Sequence, residues 1–271
     1  MPTFQFQNKN INYRVVGMGK PLVMLNGIMM STMSWLPFEE ELSRFNQLIL
    51  VDMLDQGQSD KMDVEFKQKI QADVVKALCD HLGLAKIALF GTSYGGEVAL
   101  QFAVKYGGYV ERLILFNTVS YTNAWLQEIG EAWNHAASTP AAYYATTIPV
   151  IYSPMFYDRK KEWMKARKEI LVKGAFANKV FMDSMVRLTN SSNSFDVRSQ
   201  LHTITAPTLI IGSENDHITP LEEQRYLQEQ IPNADLIVLP NTGHASFYER
   251  PMVFVALVMG FVNMEKTTFA L

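Results

Sequence analysis

The stretch LFGTSYGGEVALQ, residues 89–101, carries the pattern that decides the fold. An apolar run typical of a buried strand ends at Phe90, and a helical pattern begins near Gly95. Gly91, Ser93 and Gly95 lie in the short turn between them and form the pattern G-x-S-x-G. A turn this tight holds the serine in a strained conformation, with its hydroxyl group above the sheet. We therefore predict that Ser93 is a nucleophile; a simple glycine-rich turn is the alternative.

Short apolar runs recur along the chain and predict a parallel sheet. Six of them have the length and continuity of strands buried on both faces: PLVMLNG, QLILVDM, KIALFG, ERLILFN, PTLIIGS and DLIVLP. Helical patterns fall at about residues 35–44, 65–83, 95–106, 220–230 and 250–264. TFQFQ and INYRVVG flank Asn8-Lys9-Asn10 and predict an N-terminal hairpin. This alternation predicts an α/β fold, with a mostly parallel sheet and helices on both faces.

One interval breaks the alternation of strands and helices. Residues 121–201 contain no convincing strand, and their helical patterns are rich in aromatic residues and methionine. Pro140, Pro149 and Pro154 predict breaks between these helices. We therefore expect a helical insertion that covers one edge of the sheet, with residues 1–120 and 202–271 forming the core.

A serine nucleophile needs a base, and the base needs an acid to orient it. His244, in the loop LPNTGHASFYERP, follows the last predicted strand and should lie at the same sheet edge as Ser93. Asp216, in LIIGSENDHITP, follows another strand at that edge, although it could instead cap the next helix. His217 is expected to lie near the site rather than act as the base. Asn117 ends a further strand but is not a carboxylate.

The remaining parts of the expected site are an oxyanion hole and an apolar entrance. The backbone N–H groups of Tyr94 and Ile28 are the candidates for the oxyanion hole. Apolar residues flank the same loop, and we predict substrate contacts for Met29, Trp35, Trp125 and His217. The alternative is that the aromatic residues and methionines only pack the insertion against the core.

Composition narrows the classes of function. The net charge is -3 and the basic residues are scattered, so we expect no nucleic-acid partner. No apolar run reaches the roughly 18 residues that a membrane span needs. The start of the chain predicts no signal peptide, and the single cysteine, Cys79, fits a buried thiol in a reducing cytoplasm. No metal-ligand spacing or cofactor motif is visible, and the sequence leaves open whether the chain forms a homodimer.

With these motifs, the chain resembles the α/β-hydrolase superfamily over essentially its full length. Four motifs carry the resemblance: LNGIMM, DMLDQGQSD, GTSYGG and NDHITP…NTGHASFYERP. The resemblance implies a mostly parallel eight-stranded sheet and a helical cap between strands six and seven, where residues 121–201 lie. It also implies Ser93, Asp216 and His244 as the triad, in the chain order of this superfamily.

Two motifs depart from the superfamily pattern. Many members have His-Gly where this chain has Asn26-Gly27, and many have D-x-R-G-H-G-x-S where this chain has DMLDQGQS, residues 52–59. Asn26 can still fix the oxyanion loop by hydrogen bonds, but the network around it must differ. These motifs are similar to those of a subset of the superfamily that includes an acyltransferase.

The expected chemistry is acyl transfer through an acyl-serine intermediate, with a small-molecule acyl substrate and no cofactor. If water resolves the intermediate, the protein hydrolyses an ester, thioester or lactone of a small to medium apolar acyl group. If an alcohol or hydroxy-acyl group does so, it is an acyltransferase. The superfamily also includes cofactor-free oxygenases, C–C bond hydrolases and non-catalytic binding proteins, so these alternatives stay open.

Overall fold

The structure is built on one eight-stranded sheet. It is a computed structural model that describes residues 2–265. The strands are β1 Thr3–Phe6, β2 Lys9–Val16, β3 Lys20–Leu25, β4 Asn46–Val51, β5 Ile87–Thr92, β6 Val110–Phe116, β7 Thr208–Ser213 and β8 Ala234–Leu239. Their order across the sheet is β1-β2-β4-β3-β5-β6-β7-β8. β2 pairs antiparallel with β1 and β4, and every other pairing is parallel, so the predicted mostly parallel sheet is confirmed.

The N-terminal hairpin forms with a shorter turn than the sequence suggested. β2 begins at Lys9, so the turn consists of Gln7 and Asn8 rather than Asn8-Lys9-Asn10. Both turn residues have positive φ angles, 46° and 65°. Two such residues match the right-handed twist of the strands, which is why short hairpins favour this turn.

Helices follow most strands. They are α1 Glu39–Ser43, α2 Lys69–His81, α3 Tyr94–Tyr106, α4 Ala124–Ala136, α5 Pro140–Thr147, α6 Pro154–Arg159, α7 Lys161–Lys173, α8 Lys179–Ser191, α9 Leu221–Gln230, α10 Ser246–Glu249 and α11 Pro251–Asn263. The helix expected at about 35–44 is instead a 3-10 helix, Thr32–Phe38, followed by α1. Pro37 lies in this 3-10 helix, and its ring nitrogen has no hydrogen to donate to a regular α-helical bond.

Both faces of the sheet are buried, and successive strand residues alternate between two apolar cores. In β5, Ile87 and Leu89 belong to the core that includes residues of α2, α3 and α9. Ala88 and Phe90 belong to the core that includes residues of α1 and α11. This arrangement explains why the strands are continuously apolar rather than alternating.

The segment between β6 and β7 is helical, as the sequence predicted. It contains α4 to α8, and among the described residues its only β contact is a single antiparallel bridge between Tyr121 and Asp196. Pro140 begins α5, Pro149 begins a 3-10 helix and Pro154 begins α6. Each proline therefore begins a new helical element, a position where its missing N–H costs no hydrogen bond.

Cys79 is fully buried in α2, where desolvation raises the pKa of its thiol to about 12. The thiol therefore stays protonated and behaves as an apolar core group.

No helix within residues 2–265 is both long and apolar enough to cross a membrane.

Helix α3 buries one carboxyl group between itself and the start of α2. The side chain of Glu97 is only 5% exposed, and its Oε2 accepts a 2.5 Å hydrogen bond from Nε2 of Gln68. Gln101 Nε2 in turn donates to Oε1 of Gln68 at 2.7 Å. Desolvation raises the pKa of Glu97 to about 8, so this group is largely protonated at neutral pH.

We predict that Glu97→Gln flattens the pH dependence of stability. The carboxyl group ionises near pH 4.5 when unfolded and near pH 8 when folded. Its contribution is therefore fully present below the unfolded pKa and is lost as the pH rises through the folded pKa. The free energy of unfolding, measured in urea at about pH 5, 7 and 9, should fall less steeply in the variant. Exposed Glu128→Gln is the control, and equal slopes in Glu97→Gln and wild type would contradict the prediction.

Candidate active site

The turn at Ser93 has the strained geometry that the sequence predicted. Ser93 has φ 52° and ψ -123°, an unfavourable conformation for a residue with a side chain. The surrounding glycines permit a close backbone approach. A Cβ atom on Gly91 would lie 2.3 Å from the carbonyl oxygen of Gly95, and one on Gly95 would lie 2.5 Å from that of Leu25. Neither position can therefore carry a larger residue without displacing the backbone.

Asp216 and His244 form a buried pair. Oδ2 of Asp216 lies 2.7 Å from Nδ1 of His244 and also accepts a 2.8 Å hydrogen bond from Oγ1 of Thr219. Oδ1 accepts from the backbone N–H groups of Ile218 and Thr219 at 2.8 and 2.9 Å. These bonds fix the carboxylate so that it can orient the imidazole. Helix α9 begins only at Leu221, so Asp216 does not cap it.

Two side chains hold the loop that carries His244. Nδ2 of Asn117, at the end of β6, donates to the carbonyl oxygen of His244 at 2.7 Å. Oε1 of Glu249 accepts from the N–H of Gly243 at 3.1 Å and from the N–H of Ser153 at 2.7 Å. The loop is thus tied both to the sheet and to the helical segment. Asn117 is not a carboxylate and was therefore not a candidate for the acid of the triad. Its side chain instead holds the loop that carries His244.

Ser93 and His244 line the same cavity, which has a volume of about 470 Å³. The core contributes Ile28 and Met29 to its wall, and the helical segment contributes mostly apolar residues. Those apolar residues are Trp133, Ile148, Ile151, Tyr152, Leu171, Ala175, Phe176, Val180, Phe181 and Met185. The cavity can accommodate a small to medium apolar group beside Ser93.

The four predicted substrate contacts are not all found in this wall. Met29 lines the cavity. Trp35 does not, because its ring is fully buried in the core beneath the sheet, where Phe254 stacks on it at 6.1 Å. Trp125 is half-exposed outside the cavity, and its Nε1 donates to the carbonyl oxygen of exposed His217 at 2.8 Å. Trp35, Trp125 and His217 are therefore misplaced in the sequence prediction.

The expected oxyanion donors lie at the appropriate ends of their elements. Ile28 lines the cavity, and Tyr94 is the first residue of α3, directly after Ser93. The first N–H groups of a helix have no intrahelical partner and are available to bind an anion. The side chain of Tyr94 lies elsewhere, with its hydroxyl 2.9 Å from that of Ser191 in α8.

A buried amide network fixes the loop that carries Ile28. Asn26 Nδ2 donates to the carbonyl oxygen of Val51 at 2.7 Å and to Oε1 of Gln56 at 3.1 Å. Gln56 Nε2 donates to the carbonyl oxygen of Gly27 at 3.1 Å, and Trp35 Nε1 donates to Oδ1 of Asn26 at 2.7 Å. Asn26 and Gln56, the residues that depart from the superfamily pattern, thus contact each other. Trp35 supports this loop from below.

A buried ion pair connects the same region to the helical segment. The carboxylate of Asp55 is fully buried and accepts 2.9 and 2.7 Å bonds from Nε and an Nη of Arg187 in α8. Ser184 Oγ donates a third bond at 3.2 Å. Asp55 has a φ of 66°, a conformation that favours glycine, the residue many superfamily members have here. The ion pair with Arg187 explains why an aspartate lies at a position whose backbone conformation favours glycine.

Several cavity residues escaped the sequence prediction. Arg167 and Leu171 line the cavity from α7 and are four positions apart in the sequence, so they lie on one face of that helix. That spacing was a usable signal, although it could not show which face points inward. No spacing pairs Asp55 with Arg187, because they are 132 residues apart. Within the described chain, no three His, Cys, Asp or Glu residues cluster in a way that could hold a metal ion.

Comparison with known proteins identifies the fold family of this chain. The family model for the alpha/beta hydrolase fold matches residues 20–251. One similar solved structure is that of MGS-M2, an alpha/beta hydrolase enzyme from a Medee basin deep-sea metagenome library. Its sequence is 46% identical to this chain, the alignment covers both chains completely, and the two structures superpose with a TM-score of 0.98. A pimeloyl-[acyl-carrier protein] methyl ester esterase of Nitrosomonas europaea is 26% identical over 91% of this chain and 97% of its own. A 2-hydroxy-6-oxo-2,4-heptadienoate hydrolase of Pseudomonas putida is 26% identical over 94% and 93%.

We predict that Asp55→Asn lowers the free energy of unfolding by about 3 to 5 kcal/mol, because it leaves the guanidinium group of Arg187 partly buried without its counter-charge. The double variant Asp55→Asn with Arg187→Met should regain part of that loss. Urea unfolding at neutral pH measures both effects.

Asp183→Asn supplies the matched control, since it breaks the exposed ion pair of Lys179 and Asp183 on the same helix. Its effect should stay below about 1 kcal/mol. A loss of similar size in Asp55→Asn and Asp183→Asn would contradict the structural role given to the buried pair.

Proposed function

The chain belongs to the α/β-hydrolase family, and on that premise we propose that it is a serine hydrolase for a carboxylic ester, thioester or lactone of a small to medium apolar acyl substrate. One observation carries this proposal: Ser93, in its strained turn, and His244, of the buried Asp216–His244 pair, line one largely apolar cavity. This combination provides a nucleophile, a base and room for an acyl group.

In the first proposed step, Oγ of Ser93 attacks the carbonyl carbon of the substrate while the imidazole of His244 takes the hydroxyl proton. The carbonyl oxygen becomes an oxyanion. When this tetrahedral intermediate collapses, the bond to the leaving alcohol or thiol breaks, and His244 returns the proton to the leaving atom. An acyl ester of Ser93 remains. The Asp216 carboxylate keeps the imidazole oriented and stabilises its charged form.

The proposed oxyanion hole consists of the backbone N–H groups of Ile28 and Tyr94. The Asn26–Gln56 network supports this assignment, because it fixes the loop before Ile28. Donors fixed in advance stabilise developing charge more effectively than mobile water does.

In the second proposed step, His244 takes a proton from a water molecule as that water attacks the carbonyl carbon of the acyl-serine. The bond between that carbon and Oγ of Ser93 then breaks, and His244 returns the proton to Oγ, so that the acid leaves and Ser93 is restored. An alcohol or hydroxy-acyl group in place of water would make the protein an acyltransferase. The mostly apolar wall over Ser93 favours this alternative to the extent that it excludes water from the acyl-enzyme. Product analysis with and without an added alcohol distinguishes the two.

We also propose that residues 121–201 act as a cap on a core formed by residues 1–120 and 202–271. The cavity supports this division, because part of its wall comes from the core and the rest from α4, α7, α8 and the connections between these helices. The cap would then select the acyl group, while the core would supply the reacting groups.

Ser93→Ala should reduce kcat for p-nitrophenyl esters by about 10⁴-fold or more, because the variant has no oxygen to form the acyl-enzyme. Steady-state kinetics on the folded variant measures this loss. Ser199→Ala, on the exposed surface, is the control and should retain wild-type activity. Retained turnover in Ser93→Ala, or none in the wild type, would leave a different nucleophile or a non-catalytic binding protein as the better reading.

The apolar cavity predicts a preference for longer acyl groups. We expect kcat/KM for the octanoyl p-nitrophenyl ester to exceed that for the acetyl ester by about tenfold or more, because a buried methylene contributes roughly 0.8 kcal/mol and burial of about two of them already gives a factor of ten. Met29→Ser should reduce this ratio, since it removes apolar surface from the wall. Equal efficiencies for the two esters would show that the cavity residues only pack the helical segment against the core.

A further inference from the structure

The charge of the cavity wall is unbalanced. Among its lining residues, all of which lie in the described chain, there are two cations, Lys61 and Arg167, and no aspartate or glutamate. The ammonium group of Lys61 already donates to the backbone oxygens of Gln56, Gly57 and Ser59 at 2.9, 2.8 and 2.9 Å. Its three hydrogens are therefore used. Arg167 is the cation with donors to spare.

Arg167 reaches the wall from α7 and is held by two aromatic rings. Its guanidinium carbon lies 5.2 Å from the ring centre of Trp163 and 5.4 Å from that of Tyr248, distances typical of cation–π contacts. Its Nε is buried and has no hydrogen-bond partner. No carboxylate within residues 2–265 lies within ion-pair distance of it, whereas Arg187 and Arg198 each have one.

This arrangement suits a planar anion. Cation–π contacts do not use up the N–H groups of a guanidinium group, and two of these groups together match the two oxygens of a carboxylate. A carboxylate bound to the guanidinium group would balance the charge of the wall. Tyr248 also links this position to the histidine loop, because it follows His244 by four residues.

We propose that Arg167 binds a free carboxylate of the substrate, so that the natural substrate is a half-ester or half-thioester of a dicarboxylic acid. One carboxyl group is esterified and reacts at Ser93, and the other remains ionised and pairs with Arg167. The apolar residues of the wall contact the chain between them. This inference rests on the proposed acyl-serine chemistry and specifies its substrate class. A carboxylate carries one negative charge, which matches the one cation of this wall whose donors are not already used.

The kinetic test compares the monomethyl ester of adipic acid with its neutral dimethyl ester. The wild type should prefer the monoester in kcat/KM. Arg167→Met should reduce kcat/KM for the monoester by about 10- to 100-fold and change that for the diester by less than about threefold. Arg167→Lys keeps the charge but not the fork, so its kcat/KM for the monoester should lie between that of the wild type and that of Arg167→Met. Lys165→Met, an exposed cation on the same helix, is the matched control and should behave as the wild type.

A binding test separates this inference from the proposed function. Calorimetry measures adipate binding to the folded wild type and to Arg167→Met without any turnover, and the variant should bind about 10- to 100-fold more weakly. Equal adipate affinity in the two proteins would overturn the carboxylate site even if esters are hydrolysed at Ser93. Tighter binding of pentyl phosphate than of hexanoate would overturn the assignment to a carboxylate. Loss of adipate affinity in Arg167→Met would support the site even if neither ester is turned over.

Discussion

The backbone contact at Gly95 is the constraint on which the rest of the site depends. A Cβ atom at Gly95 would lie 2.5 Å from the carbonyl oxygen of Leu25 and 2.7 Å from that of Asn26. The turn that carries Ser93 therefore lies directly against the end of β3 and the loop that leads to Ile28. The Ser93 turn follows β5, the Ile28 loop follows β3, and these two strands are parallel neighbours in the sheet. One steric contact between the strand ends therefore places the proposed nucleophile beside the proposed oxyanion donor.

Polar contacts then fix the helical segment over this edge of the sheet. The Asp55–Arg187 pair, the bonds from Ser153 to Glu249, and the Tyr94–Ser191 contact each join the segment to a loop or helix end beside the cavity. Buried contacts of this kind specify one arrangement of two packed layers, because leaving any of them unpaired is costly. The shape of the cavity therefore depends on polar residues that are not themselves part of its wall.

The sequence was informative where the determinants are local. Gly91, Ser93 and Gly95 form one turn, and apolar strands with loops at one sheet edge predict that Asp216 meets His244. Side-chain direction is not local, so Trp35 and Trp125 were misplaced: the first points beneath the sheet and the second points outward. Asp55–Arg187 could not be predicted, because only the tertiary packing of α8 brings the two residues together. The sequence also could not predict that Nε of Arg167 is buried without a hydrogen-bond partner.

The central claim is that Ser93 is activated for attack, and covalent labelling tests it most directly. Intact mass spectrometry after treatment with a fluorophosphonate should show one adduct per chain, and peptide mapping should place it on Ser93. The adduct should be absent in Ser93→Ala and should form much more slowly in His244→Ala, which lacks the base. An unlabelled wild-type protein, or an adduct on another residue, would contradict the account.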